Sequence, residues 1–371
     1  MLILFVTKGF IKSGNFYTLA PHLQKMTQKR KKRVTIKDIA SQLGVSHTTV
    51  SRALHNHPDI SPERKEQIRN LAQRMHYNPN AFALSLRNSY SKIIGLIIPE
   101  ITLYAFPSMV KGVSEFCHNA GYNVIILSSN ESYEREVQNT ELMLSSQVDG
   151  LLVAISKETE KYDHFERLEE NGIPVVFLDR VFKDYGKSKV IIDGQRAAYK
   201  ATKHLIESGR KKLAYFGGNP SLYITKHRLE GFRKALQDFK MKEHTIVFSD
   251  DAEDARLKTF NIFSRQDIPD GIMCISDEVL TGIIPSLQEL NIRIPEQVGI
   301  ISFSDGPISL MYKPEISIIH HSLARVGRVA ADILIQGIEN PEERHDQVHI
   351  IDTKLIARGS TIGLQKFQSQ V

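Results

Sequence analysis

Residues 35–54 read TIKDIASQLGVSHTTVSRAL, a pattern for two short helices joined by a tight turn. Thr35 is placed to cap the first helix, and Asp38 three residues on completes a capping box. Ile36, Ile39, Ala40 and Leu43 recur at i, i+3, i+4 and i+7, so one apolar stripe runs down this helix. Ala40 is small enough to let a second helix cross closely. Gly44 falls where the first helix must stop and the chain must turn sharply, a conformation glycine reaches without steric cost. Val45 plugs the space between the helices. Ser46 caps the second helix, whose inner face is Val50, Ala53 and Leu54. Its outer face keeps His47, Thr48, Thr49, Ser51 and Arg52. All five form hydrogen bonds, and the one certain charge among them is positive. That composition suits a helix lying in the major groove of DNA, where base edges present donors and acceptors. An ordinary helical hairpin with a solvated polar face carries a similar stripe, because such patterns also arise by chance.

The charge distribution favours the first reading. The net charge of the 371 residues is +6, but residues 1–91 hold 15 Lys and Arg against 4 Asp and Glu, a net of +11, which leaves −5 for the rest. A basic head is the electrostatic footprint of phosphate binding. The length allows two or three domains, and 41% hydrophobic residues is ordinary for a globular protein. Cys117 and Cys274 lie far apart with no ligand spacing, which points to buried thiols in a reducing cytoplasm.

Residues 1–33 do not read as part of a fold. MLILFV is too short to span a bilayer, and charge follows this apolar run instead of preceding it, so it makes a poor signal peptide. Met26 is a natural start, and the first 25 residues are expected to be an upstream extension. Lys29 to Arg33 form a basic arm, placed to lie along phosphates or to remain a disordered tail. Downstream, Ser61, Pro62 and Glu63 open a third helix with the apolar stripe Ile68, Leu71, Ala72 and Met75, ended by Tyr77, Asn78 and Pro79. A three-helix domain over 34–79 results, followed by a hinge helix or linker over 80–91.

From Ile93 onward, short apolar runs alternate with amphipathic segments: IIGLII, then 107–120; YNVIIL, then 133–146; DGLLVAI, then 162–171; PVVFLD. The theme repeats after Val190: 195–208, KLAYFG, 224–239, TIVF, GIMCI, 277–290, VGIISF. Each run is of strand length, β-branched and followed by a polar loop, the signature of parallel β-α-β units. Two doubly wound α/β lobes with a cleft between them are predicted over 92–371. The closing segment, a helix at 322–337 and then VHIIDTKLIA, has no lobe of its own and should return to complete both. Ligands of parallel sheets bind beyond the C-terminal strand ends. Those ends are 100–106, 128–131, 179–180, 193–195, 217–228, 276–277 and 304–305, a mixture of carboxylates, Arg, Asn, Ser and aromatics. Acceptors paired with a guanidinium suit the hydroxyls of a polyol or sugar. Phosphate-loop, dinucleotide, zinc-protease and nucleophile-elbow motifs are missing, so no catalytic residue, metal ligand or cofactor is assigned.

VTIKDIASQLGVSHTTVSRAL, then HYNPNAFALSLRN, resembles the head and hinge of the lactose-repressor/galactose-repressor (LacI) family. The body resembles it over nearly all of 34–361, through IIGLIIPEI, VDGLLVAIS, GIPVVFLDR, KHRLEGFRKAL, IPEQVGIISFSD and LIARGST. The resemblance implies a dimeric transcription factor, a repressor, with a helix-turn-helix domain and a two-lobed effector domain of periplasmic-binding-protein type. It implies that His47, Thr48 and Arg52 read bases, that Thr49 and Ser51 hold phosphates, and that Leu86 is the hinge leucine that wedges into the minor groove. His55, standing where Asn is usual, and Tyr77 join this DNA-facing set. In the cleft it implies effector contacts from Phe106, Asp179, Arg228 and Ser276. Ser129, Asn130, Ser304 and Asp305, at strand ends, complete the candidates. Ser304 departs from the family, standing at the position of a ligand-binding carboxylate, and TLYAFP replaces NPFF. The implied partners are a pseudo-palindromic duplex operator, a small carbohydrate effector and a second copy of the chain, with no membrane. The competing readings are a sugar receptor without a DNA role, and, more distantly, a sugar-acting enzyme. The first would need an export signal and no basic head.

Overall fold

The computed structural model describes residues 34–77, 90–101, 105–249, 251–343 and 346–362. They fall into two compact units, a small helical head and a large α/β body. The hinge assignment, with Leu86, and the basic arm lie outside the described residues.

The head is three helices, α1 (Ile36–Leu43), α2 (His47–Leu54) and α3 (Pro62–Arg74). The capping box is present: Thr35 Oγ1 accepts from the Asp38 N–H, and Asp38 accepts from the Thr35 N–H at 2.7 Å. Gly44 has φ 61°, ψ 34°, and the turn it makes lets the Val45 N–H reach the Ala40 carbonyl at 3.1 Å. Val45 thereby packs on a core of Ile39, Ala40, Val50, Ala53, Ile68, Leu71 and Ala72.

The body contains two six-stranded sheets. The first lobe carries β1 (Ile93–Ile98), α4 (Ala105–Asn119), β2 (Asn123–Ser128), α5 (Tyr133–Ser145), β3 (Gly150–Val153), α6 (Asp163–Glu170), β4 (Val175–Leu178) and β5 (Ser188–Ile192). The chain then enters the second lobe with α7 (Gly194–Glu207), β6 (Leu213–Gly217), α8 (Tyr223–Asp238), β7 (Thr245–Phe248) and α9 (Ala252–Phe263). β8 (Gly271–Cys274), α10 (Asp277–Glu289), β9 (Gly299–Phe303), α11 (Ile308–Met311) and β10 (Ser317–His320) follow. The end of the chain returns as predicted. α12 (Leu323–Glu339) packs on the first lobe, β11 (Val348–Ile351) extends the first sheet and β12 (Lys354–Ile356) the second. The orders are β11-β5-β4-β3-β1-β2 and β12-β10-β9-β8-β6-β7. Every pairing is parallel except β10 with β12.

All-parallel pairing requires both faces of a sheet to be covered, and the burial follows: β3, β4, β6, β8 and β9 are buried throughout. α12 lies close against α4, where a Cβ on Gly112 would stand 2.0 Å from the Ala324 carbonyl oxygen. This contact explains a glycine inside α4. Two elements escape the sequence pattern. α9 buries only Ala255, Thr259, Ile262 and Phe263 and turns Leu257 and Phe260 outward, so it shows no clean stripe. β5 is interrupted by the buried Lys189, whose ammonium is satisfied by donating to the Phe182 and Lys183 carbonyls at 2.8 and 2.9 Å. Among the described residues, no helix is long and apolar enough to cross a membrane.

Candidate nucleic-acid interface and ligand cleft

In the head, α2 turns Val50 and Ala53 fully inward. His47, Thr48 and Arg52 are exposed, and Thr49 and Ser51 are half-buried. Ser46 Oγ accepts from the Thr49 N–H at 3.0 Å and shares a hydrogen bond with Thr49 Oγ1 at 2.9 Å, which fixes the first turn. Arg52 reaches Asp59 at 3.5 Å, but both side chains are more than half exposed. Such a pair is worth about 0–1 kcal/mol and releases the guanidinium readily. His55 follows α2 as its C-cap, and Nδ1–H donates to the Ser51 carbonyl at 2.7 Å. Tyr77 packs against the head core and burial pushes its phenol up, so it is part support as well as surface.

In the body, the C-terminal strand ends of both lobes enclose a cavity of about 280 Å³. Five predicted residues line it: Phe106, Asp179, Arg228, Ser276 and Asp305. Arg228, on α8, is 5% exposed; Nη1 donates to the Ile275 carbonyl at 2.7 Å and the guanidinium lies 3.9 Å from the centre of the Phe303 ring. Burial lowers its pKa, and Asp179 across the cleft opposes that shift. Asp179 is held at φ 59° just past β4, its N–H donating to the Val190 carbonyl at 2.9 Å. Ser276 caps α10, accepting from the Val279 N–H at 3.3 Å.

Asp305 serves mainly another purpose. Its carboxylate accepts from the backbone N–H groups of His321 and Ser322 at 2.9 and 3.0 Å and from that of Leu323, closing the start of α12. His320 Nδ1 stands 2.9 Å away. Burial alone would raise this carboxyl, but His321, the Leu323 and His321 N–H groups and His320 outweigh it and hold the pKa down.

Three predicted residues are not brought to the cavity wall. Ser129 is fully buried, its hydroxyl 2.6 Å from that of Ser156. Ser156 donates through N–H and Oγ to the buried Glu136 at 2.8 and 2.9 Å, and Thr159 and His164 meet the other oxygen at 2.8 and 3.0 Å. Ser129 therefore anchors the loop carrying Lys157 to the cleft. Asn130 is exposed and points its amide oxygen at Ser128 Oγ, 2.7 Å away. Ser304 is 1% exposed, beneath the wall beside Asp277.

The strand-end rule named Glu131 and Arg180 without ranking them. They form an ion pair of 2.6 Å, and Glu131 also accepts from the Lys157 N–H at 2.8 Å. The Arg180 guanidinium stands 5.4 Å from the Phe106 ring centre. Lys157, four residues past β3, Glu278, in the first turn of α10, and His321, just past β10, line the cavity but lie outside the strand ends considered in the sequence. Burial raises the pKa of Asp277 and of Glu278; Asp251 and Glu131 add to the latter, while Arg180 and Lys157 relieve it.

The description "Periplasmic binding proteins and sugar binding domain of LacI family" matches residues 91–359, and "Bacterial regulatory proteins, lacI family" matches 35–80. Catabolite control protein A of Staphylococcus epidermidis is 30% identical over 88% of this chain and 99% of its own. The HTH-type transcriptional repressor PurR of Haemophilus influenzae is 31% identical over 88% and 98%. Among solved structures, the lac repressor dimer bound to operator and the anti-inducer ONPF superposes with a TM-score of 0.79, 20% identity, 90% of this chain and 100% of that one.

Proposed function

The chain belongs to the lacI family of bacterial regulatory proteins, and from that premise we propose that it is a repressor whose operator affinity is set allosterically by a sugar or related polyol held between the two lobes. A DNA-binding regulator with a ligand-binding domain is the function of this family, which contains transcriptional regulators and not enzymes. The observation that carries the finer reading is the pairing of two surfaces in one chain. One is a recognition helix with its polar face open; the other is a cleft walled by both lobes with Asp179, Arg228 and Ser276 converging on it.

The mechanism follows from those surfaces. Two bodies pair and present two copies of α2 to a two-fold operator. Leu257 and Phe260 on α9 and Leu310 and Met311 on α11, all exposed in the single chain, supply apolar surface for that pairing. His47, Thr48 and Arg52 read base edges, each good bidentate contact being worth about 1–3 kcal/mol. Thr49, Ser51, His55 and Tyr77 hold the backbone in register, and Leu86 in the 80–91 hinge opens a central minor-groove step. An effector that spans Asp179 on one lobe and Arg228 and Ser276 on the other binds one lobe arrangement better than another. It shifts operator affinity by that difference in binding and by no more.

Paired variants test the reading on labelled operator by fluorescence anisotropy. Arg52→Ala should lose specific binding while still binding effector. Asp179→Asn should bind operator like the wild type and lose the effector response. Leu86→Ala should weaken specific binding more than non-specific binding. Loss of both activities from either of the first two variants, in folded protein, would contradict the division of labour.

A further inference from the structure

We propose that the second lobe carries a docking groove for an acidic peptide segment of a partner protein, in which Lys211, Lys242 and Arg265 receive carboxylates and Phe239 receives an apolar side chain. The inference is independent of the effector reading, because the groove and the cleft share no lining residue.

The topology sets the groove apart. It forms where the chain enters β6, β7 and β8, from the turn after α7 and the segments that follow α8 and α9. The cleft lies at the opposite, C-terminal ends of those strands. The groove encloses about 830 Å³. Its apolar part is Ile206, Met241, Ile262 and Phe239, and the Phe239 ring, just past the end of α8, is still 38% exposed. Around it stand five cations, Arg210, Lys211, Lys212, Lys242 and Arg265, against two carboxylates, Glu243 and Asp267. That positive excess sits in a body, 92–371, whose net charge is −5.

The existing contacts show which charges are left for a partner. Glu243 accepts from Arg233 at 2.8 Å, and Asp267 meets Lys212 and, at 3.3 Å, His244. Asp270 accepts from the backbone N–H groups of Lys211 and Lys212 at 2.9 and 2.8 Å, which fixes the turn that carries both side chains. Arg210 is anchored inward, donating to the Pro295 carbonyl. Among the described residues, the side-chain charges of Lys211, Lys242 and Arg265 have no hydrogen-bond or ion-pair partner, and all three are exposed. Exposed cations beside an exposed ring match a short segment in which Asp or Glu flanks a bulky apolar residue. Charge speeds the approach and is screened by salt, while the apolar contact adds affinity that salt leaves in place. A nucleic-acid strand fits worse. Its phosphates recur along the whole backbone and would have to pass Glu243 and Asp267, whereas a peptide places its carboxylates singly.

The test is selection from a displayed library of random short peptides on the full-length protein, with excess duplex DNA present to occupy the basic head. Enriched peptides are then labelled and titrated by fluorescence anisotropy. The expected result is enrichment of segments that combine Asp or Glu with Phe or Leu. The triple variant Lys211→Glu, Lys242→Glu, Arg265→Glu should bind them at least tenfold more weakly and keep the wild-type operator affinity. Phe239→Ser should weaken them at least fivefold with the salt dependence unchanged. An all-Glu peptide should bind at least tenfold more weakly than a selected one. No enrichment, enrichment without acidic residues, or selected peptides that bind the triple variant as well as the wild type would overturn the proposal. Equal binding of the all-Glu peptide would reduce the groove to a non-specific anion sink, and a loss of duplex binding in the triple variant as large as its loss of peptide binding would assign the groove to nucleic acid; either result overturns the proposal too.

Discussion

Replacing Gly44 by Ala isolates one physical cause in the head. The residue sits at φ 61°, and an added Cβ would meet nothing within 4 Å. Steric clash with neighbours is therefore removed from the argument, and what remains is the intrinsic cost of the left-handed conformation for an L-residue, about 1–2 kcal/mol. That cost falls on the turn that returns Val45 to the core and sets α2 against α1. A head of this size is expected to be stable by only a few kcal/mol, at about 0.05–0.15 kcal/mol per residue. Hydrogen exchange of the full-length protein, followed by mass spectrometry, reads the effect where it occurs. At about 1.4 kcal/mol per tenfold, amides of α1 and α2 should exchange roughly 5- to 30-fold faster in Gly44→Ala. Gly44→Asn should lie between, since Asn tolerates the left-handed region, and Gly44→Val should be worst because it is β-branched. Peptides from β1 and β6 should not change. Equal rates for Gly, Asn, Ala and Val at this position would refute the reasoning, as would equal acceleration in the body.

Two cleft carboxylates should show opposite pH behaviour. Asp305 is held below the usual range, so its contribution is present above the ordinary carboxylate pKa, near pH 4, and is lost as pH falls. Urea midpoints should therefore drop more steeply in the wild type than in Asp305→Asn between about pH 5 and 3. Asp277 is held above the usual range by burial, so its ionisation costs stability as pH rises; Asp277→Asn should be at least as stable as the wild type at pH 7. Arg228→Met should leave operator affinity within about twofold, abolish effector-dependent release, and cost the body about 1–3 kcal/mol through the unpaired Ile275 carbonyl, measured by anisotropy and urea unfolding. Burial pushes the thiols of Cys117 and Cys274 up to about 11 and about 12, so a maleimide at pH 7 should label neither in the native protein and both in urea.

The head was legible because its signals are local. Thr35, Asp38, Gly44 and Ser46 act on their own backbone within three or four residues, and the apolar stripes have only three helices to satisfy. The two-lobed body was legible from strand-length β-branched runs, and even the return of the C-terminal segment followed from its having no lobe of its own. α9 was missed because Leu257 and Phe260 face outward, against the pattern by which helices are found. β5 was missed because Lys189 reads as polar while its charged end finds carbonyls outside the strand. A cavity lies at the strand ends named from the sequence, but only five of the eight candidate residues line it. Strand-end position does not reveal which way a side chain turns, so Ser129 was expected at the wall and instead holds Ser156. Nor does it reveal prior commitment: Asp305 lines the cleft but its hydrogen-bonding capacity goes largely to α12.

The central claim is that one chain couples sequence-specific DNA reading to a ligand in its cleft. In-vitro selection from random duplex DNA with the purified full-length protein tests it most directly, with the enriched site then titrated in the presence of a panel of sugars and polyols. The account predicts a two-fold symmetric site with a sharply defined centre, whose affinity changes at least tenfold with one ligand and does not change in Arg228→Met. Binding without sequence enrichment, lost uniformly as salt rises, would show that the head only grips phosphates and would contradict the account.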